Sequence, residues 1–499
     1  MPVYFLEIIV VSVGLLILML DAFVKLEDKR TLSWIAMLGL AITFGLLFRV
    51  EWPESADGAF WQFYAANDHL SLFFKGIAIL ASLLVMIMAY DYSPVVVDQT
   101  ADPEPGAHPQ AGLGEFYALP LFACAGLMWM ASANNLVSIF VSLETVTISF
   151  YVMVAYLRRN VGSLEAGVKY LILGALSTAF IVYGFAWLYG VTGSMQLPEI
   201  ASALASPDVN VTAAMFTFAL ILVALAFKVG GAPFHFWIPD VYQGAPTPIT
   251  AFLSVGSKAA GFIVLLRLIS PFLASGMLVA KVAFVLAVIA ALTLLVGNLA
   301  ALPQKNFKRL LAYSSVAHAG FLLTALACSP TESAAKGGAL TPVTVIAFYL
   351  GAYLLMTLLA FLVMTTIRKK IADESFDAYA GLAKRSPFLA AAMLIAMASL
   401  AGIPLTAGFI GKLFVFKLAI EQAQWFLLVV AIVGAAAGFY YYLKIAASMY
   451  LSEPNVKRGE EPDNSTIPIG KIARVAMILL IAAIFLVGVN PNLILGLLS

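Results

Sequence analysis

The stretch FKVGGAPFHFWIPDVYQGAPTP, residues 227–248, decides the fold. It lies within a long apolar run, yet it carries Lys228 and then Gly230, Gly231 and Pro233 in close succession. Proline removes a backbone N–H and clashes with the preceding turn, so a helix entering this stretch must stop and restart. In lipid, unpaired backbone is tolerated only where protein or a water-filled cavity surrounds it. A lysine at bilayer depth costs roughly 2.5–3.5 kcal/mol on insertion scales. A broken membrane helix with an ionisable group at the break is therefore expected inside a helix bundle, on a path for protons or ions.

The pattern occurs twice. Residues 401–412 read AGIPLTAGFIGK, where Gly402 and Pro404 interrupt an apolar run and Lys412 follows. Glu144 and Lys258 interrupt two further runs. Together the four charges oppose insertion by on the order of 10 kcal/mol if each cost stands alone, and a chain that keeps them is expected to use them. A packing kink would explain either break alone, since Gly and Pro are common in membrane helices. Two breaks, each within a turn or two of a lysine, point instead to two structural repeats. Five-helix units have an odd number of crossings, so the second is inverted relative to the first.

Working outward, the chain of 499 residues is 62% hydrophobic and 11% charged, with mean hydropathy +0.98. Soluble domains run near 25% charged. The reading is an all-α polytopic membrane protein of about 14 transmembrane helices. The spans lie near 3–24, 32–50, 68–90, 115–131, 134–157, 165–190, 212–241 (interrupted), 248–270, 279–302, 306–328, 342–367, 387–420 (interrupted), 424–451 and 471–490. Spans 4–8 and 9–13 form the repeats. One transmembrane domain, 1–499, thus divides into peripheral N-terminal helices (1–114), a first repeat (115–272), a second repeat (273–451) and a C-terminal loop and helix (452–499). The loop 91–114, Pro-rich and polar, is expected to be irregular.

Basic residues set the orientation. With the N-terminus outside, about 16 of the 28 Lys and Arg residues fall in inside loops, Lys25, Arg158, Arg159, Lys305, Lys308 and Arg368 to Lys370 among them. Both termini are then outside, in a multi-pass protein of the inner (cytoplasmic) membrane. Met1 to Phe5 carries no positive charge, so the first span reads as a retained helix and not a cleavable signal.

Several classes are excluded. A net charge of +1 implies no nucleic-acid partner. Cys124 and Cys328 are isolated in apolar runs and offer no iron–sulfur or disulfide pattern. No GxGxxG occurs, and His69, His108, His235 and His318 lack metal-ligand spacing. The chain is expected to bind no cofactor and to carry no redox centre.

With these residues in place, the sequence resembles the antiporter-like membrane subunits of NADH–quinone oxidoreductase (respiratory complex I), a family related to Mrp antiporters. The match covers nearly the whole chain. It rests on SLETVTISFYVMVAY (142–156), residues 227–248, FLSVGSKAAGF (252–262), NFKRLLAYSSVAHAGF (306–321), AGIPLTAGFIGK and GFYYYLKIAASMY (438–450). Lys258, where larger members usually have histidine, and an end after the fourteenth span resemble the subunit N branch. The resemblance implies a proton-translocating, non-redox subunit of an enzyme complex. Its partners would be other membrane subunits and the lipid bilayer, with FMN, iron–sulfur clusters and quinone on other subunits. A cation/proton antiporter subunit, or a membrane subunit of a related hydrogenase or ferredoxin-linked complex, is the alternative.

The resemblance also implies roles. Glu144 would pair with Lys228, Lys258 would relay protons laterally, and Lys412 would pass them onward. Each is weighed against a plainer reading: a static ion pair, a snorkelling lysine, an interfacial anchor. His235 and His318 are secondary relay candidates, since histidine exchanges protons near neutral pH. Lys169 would tune the Glu144–Lys228 pair or aid proton uptake. Lys75 is expected to have a local partner, and Lys444 to snorkel. Trp61, Tyr64 and Trp237 read as interfacial anchors.

Overall fold

The computed structural model describes residues 4–50, 68–100, 108–329, 340–371, 373–452 and 466–498. Among them twelve helices are long and apolar enough to cross a membrane, and two shorter apolar helices, Thr31–Leu47 and Pro387–Ala401, stand at the second and twelfth expected positions. The order begins α1 (Phe5–Phe23), α2 (Thr31–Leu47), α3 (His69–Thr100), α4 (Leu113–Ser132), α5 (Leu136–Val154) and α6 (Val161–Thr192). A short surface helix α7 (Leu197–Ala205) precedes α8 (Val211–Val229), α9 (Trp237–Gly244) and α10 (Thr247–Phe252). A π-helical turn, Leu253–Ser257, joins α10 to α11 (Lys258–Leu273). Then come α12 (Val279–Ala301), α13 (Phe307–Ala327), α14 (Pro342–Arg368), α15 (Leu382–Arg385), α16 (Pro387–Ala401), α17 (Ala407–Glu421), α18 (Trp425–Leu451), α19 (Lys471–Val489) and α20 (Asn492–Leu495).

Asparagine starts four of these helices. Asn135, Asn160, Asn210 and Asn306 each accept a first-turn amide, from Val137, Ser163, Ala213 and Arg309. A side-chain oxygen there satisfies a donor the helix leaves orphaned. Burial then separates two classes of helix. The α10–α11 segment, α13 and α14 are each 94% buried over their most apolar window, whereas α1 and α6 are 22% and 28% buried. A helix that is apolar all round belongs in the core or in lipid. The first three are the interior of the bundle, and α1 and α6 present wide apolar faces outward.

The two breaks close in the same way. Gly230, at φ 80°, ends α8, with its amide bonded to Phe227 O at 3.3 Å and that of Gly231 to Ala226 O at 2.7 Å. Gly402, at φ 87°, ends α16, with its amide on Ser399 O at 3.0 Å and that of Ile403 on Ala398 O at 3.0 Å. Both are Schellman caps, in which a left-handed residue turns its amides back onto the last carbonyls. A Cβ at Gly230 would also displace Ile238 Cδ1, 2.3 Å away, but the left-handed φ is what calls for glycine there. The second link has in addition Leu405 at φ 72°, a strained conformation for a residue with a branched side chain.

Three expectations are corrected. Helix α3 continues to Thr100, so 91–100 is not an irregular loop. Pro94 leaves the carbonyl of Tyr90 without its amide partner, and the Ser93 hydroxyl supplies the missing bond at 2.8 Å. Trp237 is no interfacial anchor: it is buried, and its indole N–H donates to Phe227 O at 2.9 Å, capping the end of α8. Lys308, counted with the inside loops, lies instead in the first turn of α13, where it is buried, 2.8 Å from Glu374 and donating to Ala245 O at 3.0 Å. Trp61 and Tyr64 lie outside the described residues.

Candidate functional site

Helix α13 is the spine of the site. Ser315, His318 and Phe321 follow one another at three-residue spacing, which on an α-helix places them along one stripe. Each serves a different buried group.

At Ser315 the partner is Lys258, only 3% exposed, whose ammonium donates to the Ser315 carbonyl and lies 5.0 Å over the Tyr353 ring. The π turn just before Lys258 inserts an extra residue into the helical register. Such bulges recur at functional sites. The Ser315 hydroxyl meets Tyr242 OH at 3.1 Å.

At His318, 1% exposed, both ring nitrogens are engaged. Nδ1 is 2.7 Å from Tyr349 OH and Nε2 is 3.1 Å from Tyr442 OH, with the donor in each bond set by the tautomer. Tyr442 OH also bonds to Ser314 Oγ. At Phe321 the neighbour is Lys412, 5% exposed, whose ammonium lies 5.4 Å over the ring. Lys412 donates to Leu400 O at 2.9 Å and Ala401 O at 2.8 Å. Its charge thus caps the carbonyl end of α16, where helix-dipole and orphan-acceptor effects both favour a cation.

The first break is arranged differently. Lys228 precedes its break, is half-buried, and donates to Thr147 Oγ1 at 2.9 Å. Glu144 is one turn earlier on the same helix as Thr147, half-buried, and accepts from Thr178 Oγ1 at 2.9 Å. No direct Glu144–Lys228 ion pair closes among the described residues. Each charge rests instead on a threonine hydroxyl. A cavity of about 20 Å³ lies beside Lys228 and is bordered by Thr147, Ser257 and Gly261. That is room for about one water, with polar groups to hold it.

The remaining candidates fall outside this row. His235 is buried in the link after the first break, against Phe236, and its Nδ1 closes no hydrogen bond among the described residues. Lys169 pairs with Glu165 and Asp240, at 2.8 Å each. Asp240 also binds Arg309 at 2.8 Å. These charges line a polar cavity of about 510 Å³, together with Lys308 and Glu374. Lys75 has its local partner, Glu7, at 2.7 Å. Lys444 lies 5.8 Å over the Phe376 ring. Among the described residues no group of three or more His, Cys, Asp or Glu side chains is placed to hold a metal ion.

Residue-by-residue reading missed the hydroxyls. Tyr242, Tyr349, Tyr353 and Tyr442 are all buried, and Thr147, Ser314 and Ser315 join them. One signal was present: a tyrosine in an apolar core needs a partner for its O–H, and Tyr349, Tyr353, Tyr441 and Tyr442 mark such positions, whereas Tyr440 of the same run is exposed.

Fold and site together define a polytopic helical membrane protein with protonatable side chains stacked between two broken helices. Residues 133–438 match the family described as NADH:quinone oxidoreductase/Mrp antiporter, TM, and the chain belongs to that family. It is 35% identical to NADH-quinone oxidoreductase subunit N of Desulforamulus reducens over 97% of this chain and 94% of the relative. It is 40% identical to NADH-quinone oxidoreductase subunit N 2 of Solibacter usitatus, over 88% and 86%. Among solved structures it is similar to a chain of respiratory complex I from Thermus thermophilus with bound aureothin. The TM-score there is 0.75 and the identity 34%, covering 98% of each chain. A chain of the Mrp complex from Dietzia shares the fold, with TM-score 0.77 at 20% identity.

Proposed function

We infer that this chain is a proton-translocating, non-redox membrane subunit of the subunit N type in an NADH–quinone oxidoreductase. The observation that carries this reading is the stripe on α13, which links buried Lys258 through Ser315 to His318 and its tyrosines and ends beneath Lys412. On this reading the chain lies in the inner membrane with both termini outside, and it packs against other membrane subunits. Flavin, iron–sulfur clusters and quinone then belong to those and other subunits.

Uptake is read at the 510 Å³ cavity, whose charged walls and basic surroundings suit the cytoplasmic side. From there Lys308 reaches the Ala245 carbonyl, Tyr242 stands about one turn earlier on α9, and Ser315 joins Tyr242 to Lys258. Lys258 and Lys412 are the proton carriers, with His318 between them. Glu144 and Lys228 set the charge state at the first break, each held by a threonine. Events at the distant quinone site would reach the row through the two broken helices, taken as the two-state elements that such coupling requires.

Lys258→Met in the assembled complex tests the reading. NADH-driven quinone reduction and proton pumping into vesicles should both fall to a small fraction of wild type. Unchanged pumping by a fully assembled variant would take Lys258 off the path.

A further inference from the structure

The stretch YQGAPTP, 242–248, sets two prolines where α9 would otherwise run on. Pro246 and Pro248 have no N–H to return to the carbonyls four residues earlier. The Thr250 hydroxyl supplies the bond to Tyr242 O at 3.0 Å, and the Ala245 carbonyl takes the Lys308 ammonium at 3.0 Å. On α13, Lys308 and Ser315 are seven residues apart, hence on one face and about 10 Å apart along the axis. Their partners on α9, Ala245 and Tyr242, are three residues apart. One facing pair of helices thus joins the 510 Å³ cavity, which Lys308 borders, to the start of the hydroxyl row toward Lys258. Thr247, two residues past Ala245, keeps a buried hydroxyl with no hydrogen-bond partner among the described residues, as a group that serves a passing water would.

The charges on the cavity wall do not pair off one to one. Asp240 is taken up by Lys169 and Arg309, and Glu165 by Lys169. Asp373 accepts from the amide and hydroxyl of Ser375, at 2.9 and 2.7 Å. Glu374 is left to two cations: its Oε1 lies 2.8 Å from Lys308 Nζ and 3.8 Å from Arg368 Nε. Arg368 Nε closes no hydrogen bond among the described residues. The backbone holds Glu374 in place, since the Phe307 amide donates to its carbonyl at 2.9 Å. Side-chain exposure falls from 22% at Arg368 to 13% at Glu374 and 3% at Lys308, so the lysine is innermost and the arginine is in reach of water. Static packing does not call for this arrangement. One cation would neutralise Glu374, and a cation in the first turn of a helix opposes the macrodipole.

Resting on the reading of this cavity as the uptake side, we propose that Lys308 is itself a proton carrier, the one that loads the row, and that Arg368 is its reserve counter-ion. One Nζ–H bond of Lys308 breaks as its proton passes to water on the Tyr242 side. The neutral amine then takes a proton from water in the cavity. While Lys308 is neutral, Arg368, which stays protonated, closes on Glu374. The buried carboxylate is then never without a cation, the condition that would be strongly destabilising. When Lys308 regains its proton, Glu374 returns to it. One proton has moved inward, and the charge of the cluster is restored.

The test uses the assembled complex in vesicles, with Lys308→Arg, Arg368→Gln and Arg368→Lys set beside wild type and Lys258→Met. NADH-driven quinone reduction, proton pumping and thermal resistance are read together. Lys308→Arg keeps a cation and N–H donors for Glu374 and Ala245 O but cannot give up its proton. Its thermal resistance should stay near wild type while turnover and pumping fall at least about tenfold. Arg368→Gln should slow turnover, and Arg368→Lys, which returns a cation, should restore it. Wild-type turnover by Lys308→Arg would reduce Lys308 to a static cation and overturn the proposal. So would wild-type turnover by Arg368→Gln. Lys258→Met separates this proposal from the path it rests on. If Lys258→Met is silent while Lys308→Arg pumps normally, the row stands and protons enter it elsewhere; if both pump normally, the row itself has failed. Should Lys308→Arg fail to assemble, the two Arg368 variants on the half-buried wall still decide.

Discussion

Two roles assigned to Lys412 can be pulled apart: its ammonium caps a helix end, and on the proposed path it also carries a proton. The cap consists of the bonds to Leu400 O at 2.9 Å and Ala401 O at 2.8 Å. Stranding a buried acceptor costs about 1–3 kcal/mol, so the pair together accounts for about 2–6 kcal/mol. The cost of burying the ammonium itself offsets part of that sum. Lys412→Met, which keeps the stem length, should therefore loosen α16 and α17 without abolishing assembly. Lys412→Arg keeps a cation and several N–H donors for the same carbonyls, yet arginine stays protonated in proteins. The assay is NADH-driven quinone reduction and proton pumping by assembled complex in vesicles, with detergent or thermal resistance read in parallel. If Lys412 carries protons, Arg restores resistance toward wild type but pumping stays at least about tenfold down, the equivalent of roughly 1.4 kcal/mol on the limiting step. Normal pumping by the Arg variant would refute the carrier role and leave only the cap.

Three further outcomes are expected. Lys228→Ala should assemble but lose most coupled turnover, whereas Glu144→Gln should lose less, since Thr178 can still donate to an amide oxygen at that place; comparing the two pumping rates checks the ranking. Tyr442→Phe removes one hydroxyl that serves both His318 and Ser314 while keeping the ring. Turnover should drop by roughly tenfold, matching one lost buried hydrogen bond of about 1–2 kcal/mol, and an unchanged rate would place His318 off the path. Purified alone in liposomes, the chain should be nearly silent in a pH-dye assay under a Na⁺ or K⁺ gradient. Saturable exchange that depends on Lys228 or Lys412 would assign it to autonomous antiport instead.

The breaks and their lysines were legible because glycine, proline and buried charge each carry a local cost that sequence alone exposes. Gly230, Gly231, Pro233, Gly402 and Pro404 all fall in the links where the helices stop. What could not be read was how each charge is satisfied. The partners of Lys258 and Lys412 are backbone carbonyls, at Ser315 and at Leu400 and Ala401, and every residue has a carbonyl. No residue type announces that choice. The Trp237 cap and the Lys308–Glu374 pair were missed for a related reason. Both join residues of separate elements, so their meaning depends on packing that composition does not encode.

Two of the interruptions in the row of protonatable groups adjoin the helix breaks, which is where the proposed coupling needs them. Between Lys228 and the Lys258 helix stands a cavity with room for about one water, and between His318 and Lys412 stands the Phe321 ring. A wire without gaps would conduct protons whether or not quinone is reduced. Each gap adjoins a helix break. Lys228 is the penultimate residue of α8, two positions before Gly230, and Lys412 reaches back across the second link to the end of α16. A small shift of either half-helix would change a lysine's partners together with the gap beside it. Thr147 can be left behind by Lys228, and the Leu400 and Ala401 carbonyls by Lys412. The two breaks differ in this respect: the first holds its charge by a side-chain hydroxyl and the second by the helix terminus itself. The second is thus the stiffer hold, with two acceptors and full burial against one acceptor and half burial. On the proposed path this ranks the first break as the one to yield first, with the release of Lys412 after it.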